Sequence, residues 1–196
     1  MRRIFPILLL ALLAGCCLPA MAQEPRVRIA TQLGDIVVAL DQAHAPATAA
    51  NFLRYVDEKF YDDGAFHRTV RLTNQPKNAV KIEVIQAGNP QREGQDHAPI
   101  ALERTTVTGL KHLAGVISMA RDGPDTATSD FFICVTDQPS LDFGGKRNPD
   151  GQGFAAFGRV LSGMQIVQRI QRSKAIGQRL EPPIRIVSIR REPAGP

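Results

Sequence analysis

The sequence predicts a mainly β domain, closed as a barrel or folded as a sandwich, with roughly eight strands and two helices. Three observations carry this. Short apolar runs with period-two alternation recur along the chain, separated by turn-forming residues. Glycine (16) and proline (14) are plentiful for 196 residues, which suits many short strands better than a helical bundle. Only two stretches carry a helical period, and no internal repeat, heptad pattern or linker divides the chain. Hydrophobic residues at 43% and charged residues at 22% fit a globular protein and exclude a disordered one. Tryptophan is absent and aromatics are 6%, which argues against a large aromatic interaction surface. The formal charge of +5 comes from basic residues scattered among acids, so a nucleic-acid-binding patch is not expected.

Taken in order, Val27 and Ile29, then Ile36, Val38 and Leu40, alternate with other residues around Gln32-Leu33-Gly34. They read as a hairpin with one buried face. From Pro46 the spacing of Ala49, Phe52, Leu53, Val56 and Phe60 is helical, and Tyr61-Asp62-Asp63-Gly64 stops that helix. Strands are expected over Ala65 to Val70, Val80 to Gln86, Gly115 to Ala120, Phe131 to Val135 and Phe154 to Val160. Residues 89–99, 121–126 and 143–153 read as loops. Ser162 to Gln171 is a short helix with Met164, Val167 and Ile170 on one face. Ile184, Ile186, Val187 and Ile189 make a last strand.

The first 22 residues read as a signal peptide, and 23–196 as a single domain. Arg2 and Arg3 precede an apolar run from Ile4 to Ala14 that is too short to span a bilayer. Ala20-Met21-Ala22 is a small-x-small cleavage site that would leave Gln23 first. Leu13-Ala14-Gly15-Cys16 also resembles a lipobox, which would lipidate Cys16. Both readings put the domain outside the cytoplasm. Soluble export to the periplasm is the expectation adopted, and a lipoprotein anchored through Cys16 is the alternative. Cleavage after Ala22 lowers the charge from +5 to +3 and leaves Cys134 as the sole cysteine. The mature domain then has no internal disulfide and rests on its core.

Much chemistry is unsupported. His44, His67, His97 and His112 have no metal-ligand spacing, so no metal is expected. Cys134 lies in the apolar run Phe131 to Val135 and reads as a small buried hydrophobe. There is no Gly-x-Ser-x-Gly, and Gly144-Gly145 lacks the context of a phosphate loop.

Four segments carry a joint signal. They are Phe66-His67-Arg68, Val84-Ile85-Gln86-Ala87-Gly88, Ser118 to Pro124 with Thr126 to Ile133, and Phe154 to Val160. In order and character they resemble the cyclophilins, a family of peptidyl-prolyl cis-trans isomerases. The resemblance spans about residues 26–191 and, with the leader, is similar to the exported bacterial branch. It implies a closed eight-stranded antiparallel β-barrel capped by two α-helices. It also implies an enzyme without cofactor, acting as a monomer on proline-containing, unfolded or flexible polypeptides. Neither nucleic acid nor metal takes part, and a membrane only through a lipid on Cys16.

The resemblance further implies the site. Arg68, Gln86 and Phe132 take the catalytic positions. Arg68 would donate a hydrogen bond to the amide nitrogen as the X-Pro bond twists. Gln86 would hold the guanidinium or the substrate backbone. Val84, Phe132 and Leu141 would wall a pocket for the proline ring. Ala120 and Arg121 would present backbone to the peptide, with Asp130 and Phe154 also on the groove. Several positions depart from the family pattern. Thr69 to Lys81 and Gly144 to Gln152 read as insertions. Glu83 stands where an apolar aromatic is usual, Asp130 where Gln is common, Ser140 where the eukaryotic pattern has Trp, and Phe154 where it has His. Glu83 and Asp130 are therefore expected to make the groove more polar. Two alternatives compete with the enzyme: a binding module or chaperone of the same fold with little turnover, and a hollow barrel holding a small apolar ligand.

Overall fold

The computed structural model describes residues 24–193. The expected leader, with its expected cleavage site and lipobox, lies outside them. Among the described residues there are nine strands, β1 (Arg26–Thr31), β2 (Gly34–Leu40), β3 (Ala65–Val70), β4 (Val84–Gly88), β5 (Val116–Met119), β6 (Phe131–Cys134), β7 (Ala156–Ser162), β8 (Ala175–Ile176) and β9 (Arg179–Arg191). They form one antiparallel sheet in the order β1-β2-β7-β5-β6-β4-β3-β9-β8, and β1 also pairs with β9. That last pairing closes eight strands into the expected barrel and leaves them no free edge. The ninth strand, β8, is two residues that pair only with the start of β9.

The register follows the alternation. Val27, Ile29, Ile36 and Val38 are fully buried while Arg26, Arg28 and Asp35 face out. The interior is filled with side chains. Phe52, Tyr61, Phe66, Phe131 and Phe157 are nearly or wholly buried in one cluster with Ile85, Ile117, Ile133 and Ile186. Phe52 meets Phe131 edge-on at 5.3 Å, and Tyr61 meets Phe131 at 5.5 Å. Each buried aromatic or aliphatic side chain contributes about 1.5–3 kcal/mol. This packing removes the hollow-barrel alternative.

Two helices close the barrel, as expected. In α1 (Pro46–Asp57) the side chains of Ala49, Phe52, Leu53 and Val56 face the core, and proline occupies the first turn. Its N-terminal donors are satisfied from a distance. The Glu103 carboxylate accepts from the backbone N–H groups of Ala47 and Thr48 at 3.1 and 2.8 Å. Between them in sequence lies α2 (Thr105–Thr108), one turn ended by Gly109 at φ 75°. Its Thr-Thr-Val-Thr composition favours strand, so it carried no helical signal. The last helix, α3 (Met164–Arg172), buries Val167 and Ile170.

Several boundaries differ from expectation. The strand expected from Val80 begins at Val84, because Ile82 is held by a side chain rather than a strand. Gln75 Nε2 donates to the Ile82 carbonyl at 2.8 Å, and its Oε1 accepts from the Ile82 N–H at 3.3 Å. The strand expected over Phe154 to Val160 runs from Ala156 to Ser162, and the following helix starts at Met164. Gly163 separates the two with φ 93°, and a Cβ there would lie 2.4 Å from the Asp35 carbonyl. The last strand is thirteen residues long and reaches back to Arg179, through the Gly177 turn that also creates β8. Strand β3 runs over Ala65–Val70 as expected, which puts Thr69 and Val70 in the strand and the inserted loop after it.

Candidate active site in the outer groove

The candidate side chains converge on the outside of the barrel. Register does most of the positioning: Arg68 on β3 is opposite Gln86 on β4, and Gln86 is opposite Phe132 on β6. A bulge between Phe66 and Arg68 interrupts β3 in its pairings with both β4 and β9. Bulges of this kind re-aim a side chain. Here the bulge places Arg68 across from Gln86.

Arg68 is bound by neutral acceptors. Its Nη1 donates to Gln86 Oε1 at 2.9 Å, while Nε and Nη2 donate to Gln178 Oε1 at 2.9 and 2.6 Å. Gln178 is itself tied to the Asn74 carbonyl at 3.3 Å. Among the described residues no carboxylate forms an ion pair with Arg68. Burial lowers the pKa of its guanidinium from the usual arginine value, and an arginine side chain stays charged in proteins. Each Nη keeps one N–H unused by these three bonds.

Gln86 is held at its other end. Its Nε2 donates to Asp130 Oδ2 at 3.0 Å, which fixes the amide with its oxygen toward Arg68. His67 Nε2 stands 3.6 Å from the same carboxylate oxygen. The Asp130 carboxyl lies directly over Gly88, where an added Cβ would fall 1.7 Å from Oδ1. Burial raises the pKa of Asp130, against the lowering effects of the Gln86 bond and the His67 charge. The departure from the family's Gln therefore places a carboxylate in the groove, as expected.

Beside these polar groups is an apolar pocket. Val84, Phe132 and Leu141 are 4%, 5% and 1% exposed and pack with Val70, Ile82 and Cys134. Ala120 and Phe154 pack against this cluster from the side. Phe154 meets Phe132 edge-on at 5.4 Å, and the His112 ring stacks near Phe132 at 6.0 Å. Buried His112 is fixed by Asp142 at 2.8 Å and Ser118 at 3.0 Å. Cys134 is free and buried, and burial pushes its thiol pKa up, so it acts as apolar packing.

One expectation needs correction. Glu83 does not make the pocket polar. Its carboxylate turns away to accept from Gln171 Nε2 and Thr136 Oγ1, each at 3.1 Å. Ile82, Val84 and Gln86 alternate onto the groove side, and Ile82 supplies the apolar wall. Ala120 and Arg121 stand on the rim, where the resemblance has them offer backbone to the peptide. The Ala120 N–H is taken by the Asp130 carbonyl at 2.9 Å, which leaves its carbonyl for a peptide. The Arg121 side chain is buried at the rim. It donates bidentately to Asp150 at 2.8 and 3.0 Å, to the Gly153 carbonyl at 2.8 Å, and covers the Phe154 ring at 4.9 Å.

Sequence reasoning missed Gln178, Ile82 and Arg147. Gln178 follows a turn glycine, with no apolar period to place it near Arg68. Arg147 lies in one inserted loop and binds the other. Its Nη1 donates to Gln75 Oε1 at 2.9 Å and to the Val80 carbonyl at 2.7 Å. The two insertions thus meet at the edge of the groove.

Comparison with known proteins agrees with this geometry. The family model for cyclophilin type peptidyl-prolyl cis-trans isomerase/CLD matches residues 26–191. Peptidyl-prolyl cis-trans isomerase CYP18-2 of Arabidopsis thaliana is 35% identical over 150 residues, covering 74% of this chain and 80% of the relative. Peptidyl-prolyl cis-trans isomerase B of Escherichia coli is 35% identical over 144 residues, covering 72% and 80%. Peptidyl-prolyl cis-trans isomerase A of Dickeya dadantii is 35% identical over 153 residues, covering 77% and 73%. A crystal structure of a Cryptosporidium parvum cyclophilin type peptidyl-prolyl cis-trans isomerase superposes with a TM-score of 0.70 at 22% identity, covering 88% of this chain and 99% of that one. The same protein crystallised in the presence of the dipeptide Ala-Pro gives 0.69, covering 86% and 99%. With the barrel closed by β1 and β9, and an arginine facing an apolar groove, the chain belongs to the cyclophilin-type peptidyl-prolyl cis-trans isomerases.

Proposed function

We propose that this isomerase acts on X-Pro bonds of exported polypeptides, with Arg68 as its catalytic donor and the Phe132 pocket as its proline seat. An amide resists rotation by roughly 18–20 kcal/mol because its nitrogen lone pair is delocalised. At the top of that barrier resonance is lost and the nitrogen can accept a hydrogen bond. A cation donating there stabilises the twisted bond more than either planar form, which is what acceleration requires. The observation that carries this reading is the state of Arg68: charged, half-buried, held by two glutamine oxygens, with donors left over beside an apolar pocket.

Each neighbour has a distinct part. Gln86 orients the guanidinium, and Asp130 holds the Gln86 amide in the useful sense. Val84, Phe132 and Leu141 clasp the ring, with Phe154 stiffened by Arg121 at the rim. The Ala120 carbonyl receives a substrate N–H. The substrates are proline-containing, unfolded or flexible chains, and the enzyme works as a monomer. Export rests on the Arg2-Arg3 start, the apolar run and the Ala20-Met21-Ala22 site. Intact mass and fractionation test it. A mature chain starting at Gln23 in the soluble periplasmic fraction supports it. An acylated species that disappears in Cys16→Ser would assign the lipoprotein route instead. For the activity, a proline-peptide isomerisation assay with Arg68→Ala is the test.

A further inference from the structure

The groove is electrically divided along β4. At its start, beside Ile82, stands Arg147, tied to the Val80 carbonyl and to the same Gln75 that holds Ile82. Its backbone N–H donates to the Ser140 carbonyl at 3.1 Å, next to the pocket residue Leu141. Gly145 lets the loop fold this tightly, since a Cβ there would meet the Ser140 oxygen at 2.3 Å. At the far end, over Gly88, lies Asp130, with Glu93, Asp96 and Asp122 lining the same end of the groove. Asp96 and Asp122 each act to raise the pKa of Asp130, so the acids share one field. Strand β4, Val84–Gly88, lies between the two ends.

The cationic end lacks a counter-charge. Arg147 forms no ion pair among the described residues, and the two acceptors of its guanidinium, the Gln75 side chain and the Val80 carbonyl, are both neutral. Burial, then repulsion from Arg68, lowers the pKa of its guanidinium. Two half-buried cations side by side without an anion are held at an electrostatic cost that an incoming carboxylate would relieve. Only Nη1 is occupied, so Nε and Nη2 remain to bind one.

We infer that Arg147 is a specificity-determining residue, and that the enzyme prefers proline substrates carrying a carboxylate side chain on the arm of the peptide that passes Arg147. The acidic end disfavours the same carboxylate on the opposite arm. The preference rests on the isomerase reading and deepens it.

Two neutral-capped peptide pairs test it, read by NMR exchange without a coupling protease. One pair has Glu or Gln immediately after the proline in an Ala-Ala-Pro frame, the other has Glu or Gln immediately before it. The expected result is a kcat/KM ratio of Glu over Gln of about five in one pair and below one in the other. Adding 1 M NaCl brings both ratios toward one as the fields are screened. Arg147→Gln abolishes the favourable ratio and keeps the unfavourable one. Arg147→Lys restores part of it, which separates charge from loop damage. Equal rates for Glu and Gln in both pairs, or a favourable ratio that survives Arg147→Gln, would overturn the assignment. Absence of turnover on the Gln peptides would instead overturn the isomerase reading, and this one with it.

Discussion

Gln178 offers a sharp probe of how Arg68 works, because one side-chain oxygen receives two of its bonds, at 2.9 and 2.6 Å. Gln178→Ala removes the one acceptor of two hydrogen bonds from a half-buried cation. Hydrogen bonds to charged groups are worth about 1.5–3 kcal/mol each, and water at the groove recovers part of that. A net loss of about 1.4 kcal/mol in transition-state stabilisation is expected, or about tenfold in kcat/KM. Gln178→Glu is more informative. It keeps both bonds to Arg68 and adds an ion pair, which outweighs the lost long bond to the Asn74 carbonyl, so the protein should melt higher above about pH 4, where the glutamate is ionised. It also neutralises the cation that the twisted amide needs, so kcat/KM should fall despite the added stability. NMR exchange on a proline peptide gives the rate, and thermal melting gives the stability. A Gln178→Glu variant at least as fast as the parent would refute the idea that Arg68 acts through an unneutralised charge.

Other outcomes follow from the same geometry. Gly88→Ala drives a methyl into the space of the Asp130 carboxyl, so Gln86 loses its anchor; kcat/KM should fall several-fold, with a stability loss visible by melting. Asp130→Asn should melt higher near neutrality, because the folded state binds the Asp130 proton more tightly than the unfolded one and so loses stability as pH rises past the usual aspartate range. The ion pairs Asp57–Arg191, Asp62–Arg190 and Asp150–Arg121 work in the opposite sense. The arginine hydrogen bonds hold each aspartate pKa below its ordinary value, so their contribution is present above about pH 4 and is lost as pH falls further. The part of the melting temperature that these pairs contribute should be level from pH 7 to 5 and drop below about 4, less steeply in Asp62→Asn. Phe132→Ala empties the apolar seat and should raise KM more than it lowers kcat, checked by saturation kinetics.

Much of this was legible in the chain. Alternation placed Val27 to Leu40 as a hairpin, and the stripe Ala49, Phe52, Leu53, Val56 marked α1, because a buried face imposes its period on the residues. The groove residues Arg68, Gln86, Phe132 and Leu141 were visible only through their motifs, since no local period points at a site on the outside of a barrel. What escaped depends on tertiary contact. Ile82 is ordered by the Gln75 side chain, and Gln178 reaches Arg68 across 110 positions of sequence. Glu83 was misplaced for a related reason: its carboxylate is drawn away by Gln171 on α3 and Thr136, neither of which is near it in the chain.

The most direct measurement is the rate of cis–trans exchange of a proline peptide, followed by NMR with the purified parent chain and with Arg68→Ala. The account predicts that the parent accelerates exchange well beyond the uncatalysed time of about 10–100 s. It predicts that Arg68→Ala keeps the fold and loses about two orders of magnitude in kcat/KM, roughly 2.7 kcal/mol of transition-state stabilisation, and that Arg68→Lys recovers little of it. A folded Arg68→Ala protein with near-parental exchange rates would contradict the central claim.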